Sequence, residues 1–390
     1  MTNQIVLYNA ILLDPESGSP VPGGLILDRD RIHARLGPAD RTGGNRSRID
    51  LGGRYLAPGF IDIHYHGRFA FGEHDAIDDA VHAALEHGAS LVRHGTTAYL
   101  ATTVAQPHDA LSVQVEALAG RLADPPVAGA RPIGIHLEGP WINTKAAGAQ
   151  PAAGIRPCQI EEARDLLSRA DGWVRMVTLA PEVEGAAQLL ELLRSRGILA
   201  SLGHSRASFD QIDAAIKRGA RHVTHLFNAM APFHHREPGL IGTALEDHRL
   251  SADLICDGVH VNPRVVRLAV RALAERLLLI TDRFDPPHLS RDPSLGFGEL
   301  RSDGTAIRTA DGRLAGSCLT LDTAVRNVSE FANLSLLEAI TACTLRPARL
   351  LGIEREYGTL RPGARADLVV LDAEGGVLET WVGGRRAHPD

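Results

Sequence analysis

Residues 59–67 read GFIDIHYHG. A short apolar run leads straight into two histidines one residue apart. In an extended chain that spacing turns His64 and His66 to one side and Tyr65 to the other. Four more apolar runs end in the same style. Glu138 closes PIGIHLE at 132–138, His204 follows ILASLG at 198–203, His225 ends HVTH at 222–225, and Asp282 ends LLLITD at 277–282. Parallel β/α barrels carry their catalytic groups at the C-terminal ends of their strands. A single histidine in such a place is usually a packing residue. Five strand ends bearing His or carboxylate point instead to one shared site.

Outward from these runs the same alternation continues. TAYLATT (97–103), VRMVTL (174–179) and SADLIC (251–256) bring the strand candidates to eight. Amphipathic stretches separate them: 76–95, 108–123, 159–170, 185–197 and 265–277. Eight near-continuous apolar strands alternating with helices predict an α/β fold, a closed (β/α)8 TIM-like barrel, over an open sheet. No glycine-rich nucleotide fingerprint follows the first strand. The ends differ in texture. IVLYNAILL (5–13) and GLILDRDRIHARLG (24–37), with YGTLRPGARADLVVLD (357–372) and GGVLETWVGG (375–384), read as strands split by Gly, Pro and Asp turns. They predict a small β-sandwich domain built from residues 1–56 and 354–390, around a catalytic barrel at 57–353. A barrel of about 250 residues plus such an appendage suits a chain of 390 residues.

Composition narrows the partners. A net charge of −6 offers no footing for nucleic acid or an anionic membrane. No apolar run nears the roughly 20 residues of a membrane span, and no leader is expected. Cys158, Cys256, Cys318 and Cys343 lack metal spacing and read as free thiols of a cytoplasmic protein.

The site residues suit a metal. An HxH pair at a strand end, with further imidazoles and carboxylates, fits one or two divalent ions, zinc first; iron, manganese or cobalt suit the same donors. His136, two before Glu138, is expected to pack in the barrel or support the ligands. Many binuclear barrel hydrolases bridge their metals with a carboxylated lysine. The two lysines here, Lys145 and Lys217, end no strand, so a bridge falls to a carboxylate, and Glu138 is the natural candidate. Asp282 suits a general base that activates water and returns the proton to a leaving amine. Two loops look built for a ligand: NAMAPFHHREPGLIG (228–242), which carries Arg236 with its anion-matching fork, and CDGVHVNP (256–263), which presents His260.

At this point the chain resembles a known family, the N-acetylglucosamine-6-phosphate deacetylases of the amidohydrolase superfamily. The matching stretches are APGFIDIHYHG, HLEGPWI, LGHSRA, THLFNAMAPFHHREPGLIG, ICDGVHVNP, LLLITD, RLAGSCLTLDTAVRN and GTLRPGARADLVVLD, in the expected order. The resemblance implies a principal metal site of Glu138, His204 and His225, a second ion on His64 and His66, and Asp282 as catalytic aspartate. It also implies that Arg236 and His260 hold the phosphate and hydroxyls of an amino sugar phosphate, assisted by main chain at Asn228 and Ala229, in a homodimer.

Two departures stand out. Gln150 occupies the place where the family commonly has a histidine that polarises the amide carbonyl; it can donate a hydrogen bond but carries no charge. Arg283, Phe284 and Asp285, then PPHLSRDPSLGFG, replace small residues after the catalytic aspartate. These groups should reshape the acyl or sugar pocket, with Arg283 as a substrate contact. The expected reaction is removal of the N-acetyl group from N-acetylglucosamine-6-phosphate. The alternatives are a related N-acyl hexosamine phosphate, a cyclic amide, and a non-catalytic binding barrel.

Overall fold

The computed structural model describes residues 4–38, 40, 47–67, 88–123, 129–285 and 300–389. The first part of the helix expected at 76–95, up to residue 87, and the stretch 286–298 after Asp285 lie outside the described residues.

Five strands open the chain: β1 (Gln4–Leu12), β2 (Val21–Asp28), β3 (Arg31–Leu36), β4 (Ser47–Asp50) and β5 (Tyr55–Pro58). Eight follow from the predicted apolar runs: β6 (Phe60–Gly67), β7 (Thr96–Thr103), β8 (Arg131–Glu138), β9 (Val174–Leu179), β10 (Leu199–Leu202), β11 (His222–Val223), β12 (Ser251–Ile255) and β13 (Leu277–Ile280). β6 to β13 pair in sequence order, every neighbour parallel. All eight residues of β6 are buried, as a strand covered on both faces requires. Helices cover the outside. Ile160–Arg169, for example, buries Ala163, Leu166 and Leu167, the spacing of one helical face.

The barrel closes through the chain that follows β13. The Asp282 amide donates to the His64 carbonyl at 2.9 Å, and β14 (Arg283–Phe284) pairs in parallel with β6. Beneath this seam the buried Asp62 carboxylate on β6 accepts the Thr281 hydroxyl at 2.6 Å. It also accepts the amides of Thr281 (3.3 Å) and His64 (3.2 Å). Burial raises the Asp62 carboxyl to about 6, against the pull of those donors.

Three further strands, β15 (Leu300–Ser302), β16 (Ala306–Thr309) and β17 (Leu314–Ser317), form an antiparallel flap attached through β14. The last three, β18 (Leu368–Leu371), β19 (Val377–Val382) and β20 (Arg385–His388), join β1–β5. They make one sheet in the order β20-β19-β18-β5-β1-β2-β3, with β4 on β1. The small domain expected from both termini is thus one continuous hydrogen-bonded sheet with its own core, including Leu7, Leu25, Ile32, Leu56, Leu368 and Trp381. Gly59 links this sheet to the barrel. A Cβ there would meet the Thr97 Oγ1 at 2.1 Å, so only glycine allows so close a crossing.

Thr281→Val should cost about 1–3 kcal/mol, because it strips a donor from a buried carboxylate. Thr281→Ser should not. Urea denaturation of the two variants reads the difference.

Candidate metal centre and active-site cavity

Three of the predicted residues arrive by one local device. His204, His225 and Asp282 each stand two residues past the end of β10, β11 and β13, with φ of 48°, 34° and 48°. Residues other than glycine avoid this left-handed region, at a cost of about 1–3 kcal/mol each. The turns set these side chains over the barrel mouth beside those of β6 and β8, so all six predicted metal and catalytic residues meet.

They meet as two groups, Glu138 with His204 and His225, and His64 with His66 and Asp282. Glu138 Oε1 lies 3.0 Å from Nε2 of both His204 and His225. The same oxygen is 3.4 Å from His64 Nε2, and Oε2 is 3.2 Å from His66 Nε2. Asp282 Oδ1 lies 3.4 Å from His64 Nε2 and 3.2 Å from His66 Nε2. Glu138 therefore faces both groups, where a bridging carboxylate would stand.

The hydrogen bonds behind the rings say what these atoms need. His204 Nδ1 lies 2.9 Å from the Ala146 carbonyl, and His66 Nδ1 lies 3.2 Å from that of Thr102. A carbonyl only accepts, so both Nδ1 atoms carry the proton, and in a neutral ring Nε2 is then a bare lone pair. Lone pairs facing carboxylate oxygens at about 3 Å require something positive between them. Protons serve in part: against burial, hydrogen bonds to Asp282 and Glu138 lift His66 to about 9, and Glu138 does the same for His225. A divalent ion serves better. Ligand atoms about 2.0–2.1 Å from a tetrahedral ion lie roughly 3.3 Å apart, close to the separations here. The donors thus fit such an ion.

Above the two groups opens a cavity of about 120 Å³. Gln150, Asn228, Ala229, His260 and Asp282 line it, as the sequence suggested. His260 is fixed there by Asp257, whose Oδ2 lies 2.6 Å from its Nδ1. The structure does not bring Arg236 or the Arg283 side chain to this wall. Arg236 is exposed in its loop, with Nη1 2.9 Å from His235 Nε2. Arg283 turns away, donating to Asp285 Oδ1 and the Cys318 carbonyl, each at 2.7 Å. Sequence reading missed Leu314, Ala315 and Gly316 of the flap, which line the cavity with Phe284.

Residues 55–387 match the family model described as Amidohydrolase family. The chain belongs to the amidohydrolase family. It is 37% identical over 374 residues, 93% of this chain and 90% of the relative, to the N-acetylglucosamine-6-phosphate deacetylase of Bos taurus. It is equally 37% identical over 333 residues, covering 85% and 87%, to the N-acetylgalactosamine-6-phosphate deacetylase of Escherichia coli O157:H7. Among solved structures, a mutant N-acetyl-D-glucosamine-6-phosphate deacetylase from Mycobacterium smegmatis, in complex with N-acetyl-D-glucosamine-6-phosphate, superposes with a TM-score of 0.87. It is 34% identical and 99% of each chain is covered. These likenesses place the chain among the N-acetylglucosamine-6-phosphate deacetylase-like amidohydrolases, enzymes that depend on metal.

In this amidohydrolase a layer of polar groups under the centre keeps its residues in place. The Asp253 carboxylate accepts the His225 amide and holds His222 Nε2 at 2.9 Å. His136 Nε2 lies 2.8 Å from Thr178 Oγ1, which continues to Thr224 Oγ1 at 2.7 Å. Burial, and then the neighbouring His64, depress His136 well below the usual histidine range, so it stays neutral. Gln150 is clamped at both ends. Its Oε1 accepts the Ala105 amide at 2.7 Å, which forces its Nε2 to be the end that donates to Glu138 Oε2. Partners of this kind tune a metal ligand by about 10–100-fold in affinity. Gln150→Leu should therefore weaken retention of a divalent ion by about that factor, read by competition with a chelator, with the circular dichroism spectrum unchanged.

Proposed function

We propose that this chain hydrolyses the N-acetyl amide of an amino sugar 6-phosphate, in first place N-acetylglucosamine-6-phosphate, giving the free amine and acetate. The observation that carries the reading is the position of Asp282. Its carboxylate stands beside the His64–His66–Glu138 donor set and on the wall of a cavity that Gln150, Asn228 and His260 also line. The names of the relatives point the same way.

Glu138, His204 and His225 would hold one divalent ion and His64 and His66 a second, zinc before iron, manganese or cobalt. Such an ion, when bound, supplies Lewis acidity toward the amide carbonyl and lowers the pKa of water. Asp282 does the proton work. Despite burial, its charge interaction with His64 and its hydrogen bond to His66 hold the carboxyl below the usual range, so it is ionised and able to accept. It takes a proton as the water oxygen adds to the carbonyl carbon, then delivers it to nitrogen as the C–N bond breaks. Gln150 keeps one N–H beyond the one given to Glu138, and that hydrogen suits the carbonyl oxygen. His260, with groups at Asn228 and Ala229, would hold the sugar hydroxyls and phosphate.

Arg236 stands outside the cavity wall. Its grip on the phosphate therefore goes with the homodimer that this reading includes, in which its loop meets the second subunit. The reading also includes the division into a barrel at 57–353 and a terminal domain, and a cytoplasmic setting. The free cysteines and the lack, among described residues, of any helix long and apolar enough to cross a membrane are in keeping with it. The E. coli relative, named for the galacto sugar and equal in identity to the bovine one, makes the galacto epimer the second reading.

Free-amine release from N-acetylglucosamine-6-phosphate, its galacto and manno isomers and the unphosphorylated sugar should rank the gluco phosphate first. Equal rates with and without phosphate would reject the roles of Arg236 and His260. Asp282→Asn should retain metal while turnover falls about 10²–10⁴-fold; near-normal turnover would remove Asp282 as the proton carrier. Gln150→His should change the rate on the 6-phosphate. A large gain would mark Gln150 as a weaker carbonyl donor, and a loss would mark it as fitted to this substrate.

A further inference from the structure

The wall of the cavity changes character around the metal-centre residues. Its lining includes Asn228, Ala229 and His260, and it also includes the apolar group of Phe284, Ala149 and Ala315, with Leu314 and Gly316. Phe284 is fixed from two directions. Its ring stacks on the His66 imidazole, with centroids 4.3 Å apart and planes 27° from parallel. It also lies against the α-carbon of Gly316, where φ is 149° and an added Cβ would come within 2.3 Å of Phe284 Cδ2. Behind the ring, Val104, Leu300, Ile307 and Ala315 form a small core separate from that of the barrel. Phe284 is 4% exposed, so it is packed into the wall among these side chains.

An N-acyl hexosamine phosphate has one apolar end, the acyl chain, and one end dense with hydroxyls and phosphate. With its amide carbon beside Asp282, desolvation decides which end meets the apolar part of the wall. Hydroxyls pressed on Phe284, Leu314 and Ala315 would lose their hydrogen bonds to water without replacement. The acyl chain loses nothing there.

We infer that Phe284 is the specificity-determining residue for the acyl group: held by His66 and Gly316, it limits the site to short chains. The inference rests on the N-acyl hydrolase reading given above. A rigid apolar wall distinguishes chains differing by one methylene by about 10–200-fold.

The test is kcat/KM for amine release from N-acetyl, N-propionyl and N-butyryl hexosamine 6-phosphates, with wild type, Phe284→Ala, Phe284→Leu and Leu314→Ala, and metal content measured alongside. Wild type should lose at least about 10-fold at the first added methylene. Phe284→Ala should raise the butyryl-to-acetyl ratio by about 10-fold or more, with smaller rises for the other two. The ratio is internal to each variant, so a general loss of activity, of fold or of metal lowers both rates alike and leaves it in place. An unchanged ratio in all three variants, or a wild type indifferent to chain length, overturns the inference alone. Silence of the wild type toward every N-acyl sugar phosphate sinks the hydrolase reading and this inference with it.

Discussion

The structure turns on one buried carboxylate. Glu138 is almost without exposure, and its two oxygens face the Nε2 atoms of four histidines from both sides of the barrel mouth. A charge so placed costs several kcal/mol unless it is matched. Its match comes from β6 and from the turns after β10 and β11, strands whose ends face one another only across a closed barrel. The seam between β6 and the chain after β13, and the Asp62–Thr281 contact beneath it, are thus conditions for the site as much as for the fold. Despite burial, the His64 charge and hydrogen bonds to His204 and His225 keep the Glu138 carboxyl well below its usual range, so the centre presents an anion at every ordinary pH.

Holding that centre has a cost in backbone strain. The left-handed turns at His204, His225 and Asp282 together oppose folding by several kcal/mol, and they persist because neighbours overdetermine them. Asp253 fixes the His225 amide, the Ala146 carbonyl fixes the His204 ring, and the His64 carbonyl fixes the Asp282 amide. Each of these partners comes from a different strand or loop. The strain is therefore carried by the barrel as a whole.

The residues of the centre were legible in the sequence because strand ends are. Eight apolar runs became the eight parallel strands, and period-two alternation set His64 and His66 on one side. The flap was not legible, since β14 to β17 are two to four residues long, too short for a periodic signal. The Asp303-Gly304 and Asp311-Gly312 pairs were the available clue, being hairpin turn chemistry. Likewise Gly239–Glu246 is a helix although it starts inside a Gly- and Pro-rich stretch that reads as loop. Arg283 is more instructive. Its neighbourhood to Asp282 suggested a substrate contact, yet Asp282 and Phe284 line the cavity and Arg283 turns away to Asp285.

That placement ties specificity to catalysis in a way neither residue would alone. Asp282 and Phe284 lie two residues apart on one extension of the barrel, the first against the His64 and His66 nitrogens, the second stacked on the His66 ring. His66 is thus in contact with the carboxylate proposed to move protons and with the ring that bounds the cavity. Any shift of the flap that moved Phe284 would press on the imidazole, and any re-aiming of the imidazole would move the wall. In a close-packed interior such couplings do not average out. The position of the Phe284 wall and the geometry of the donors around Glu138 are therefore set by a single packing arrangement, anchored where β14 joins β6.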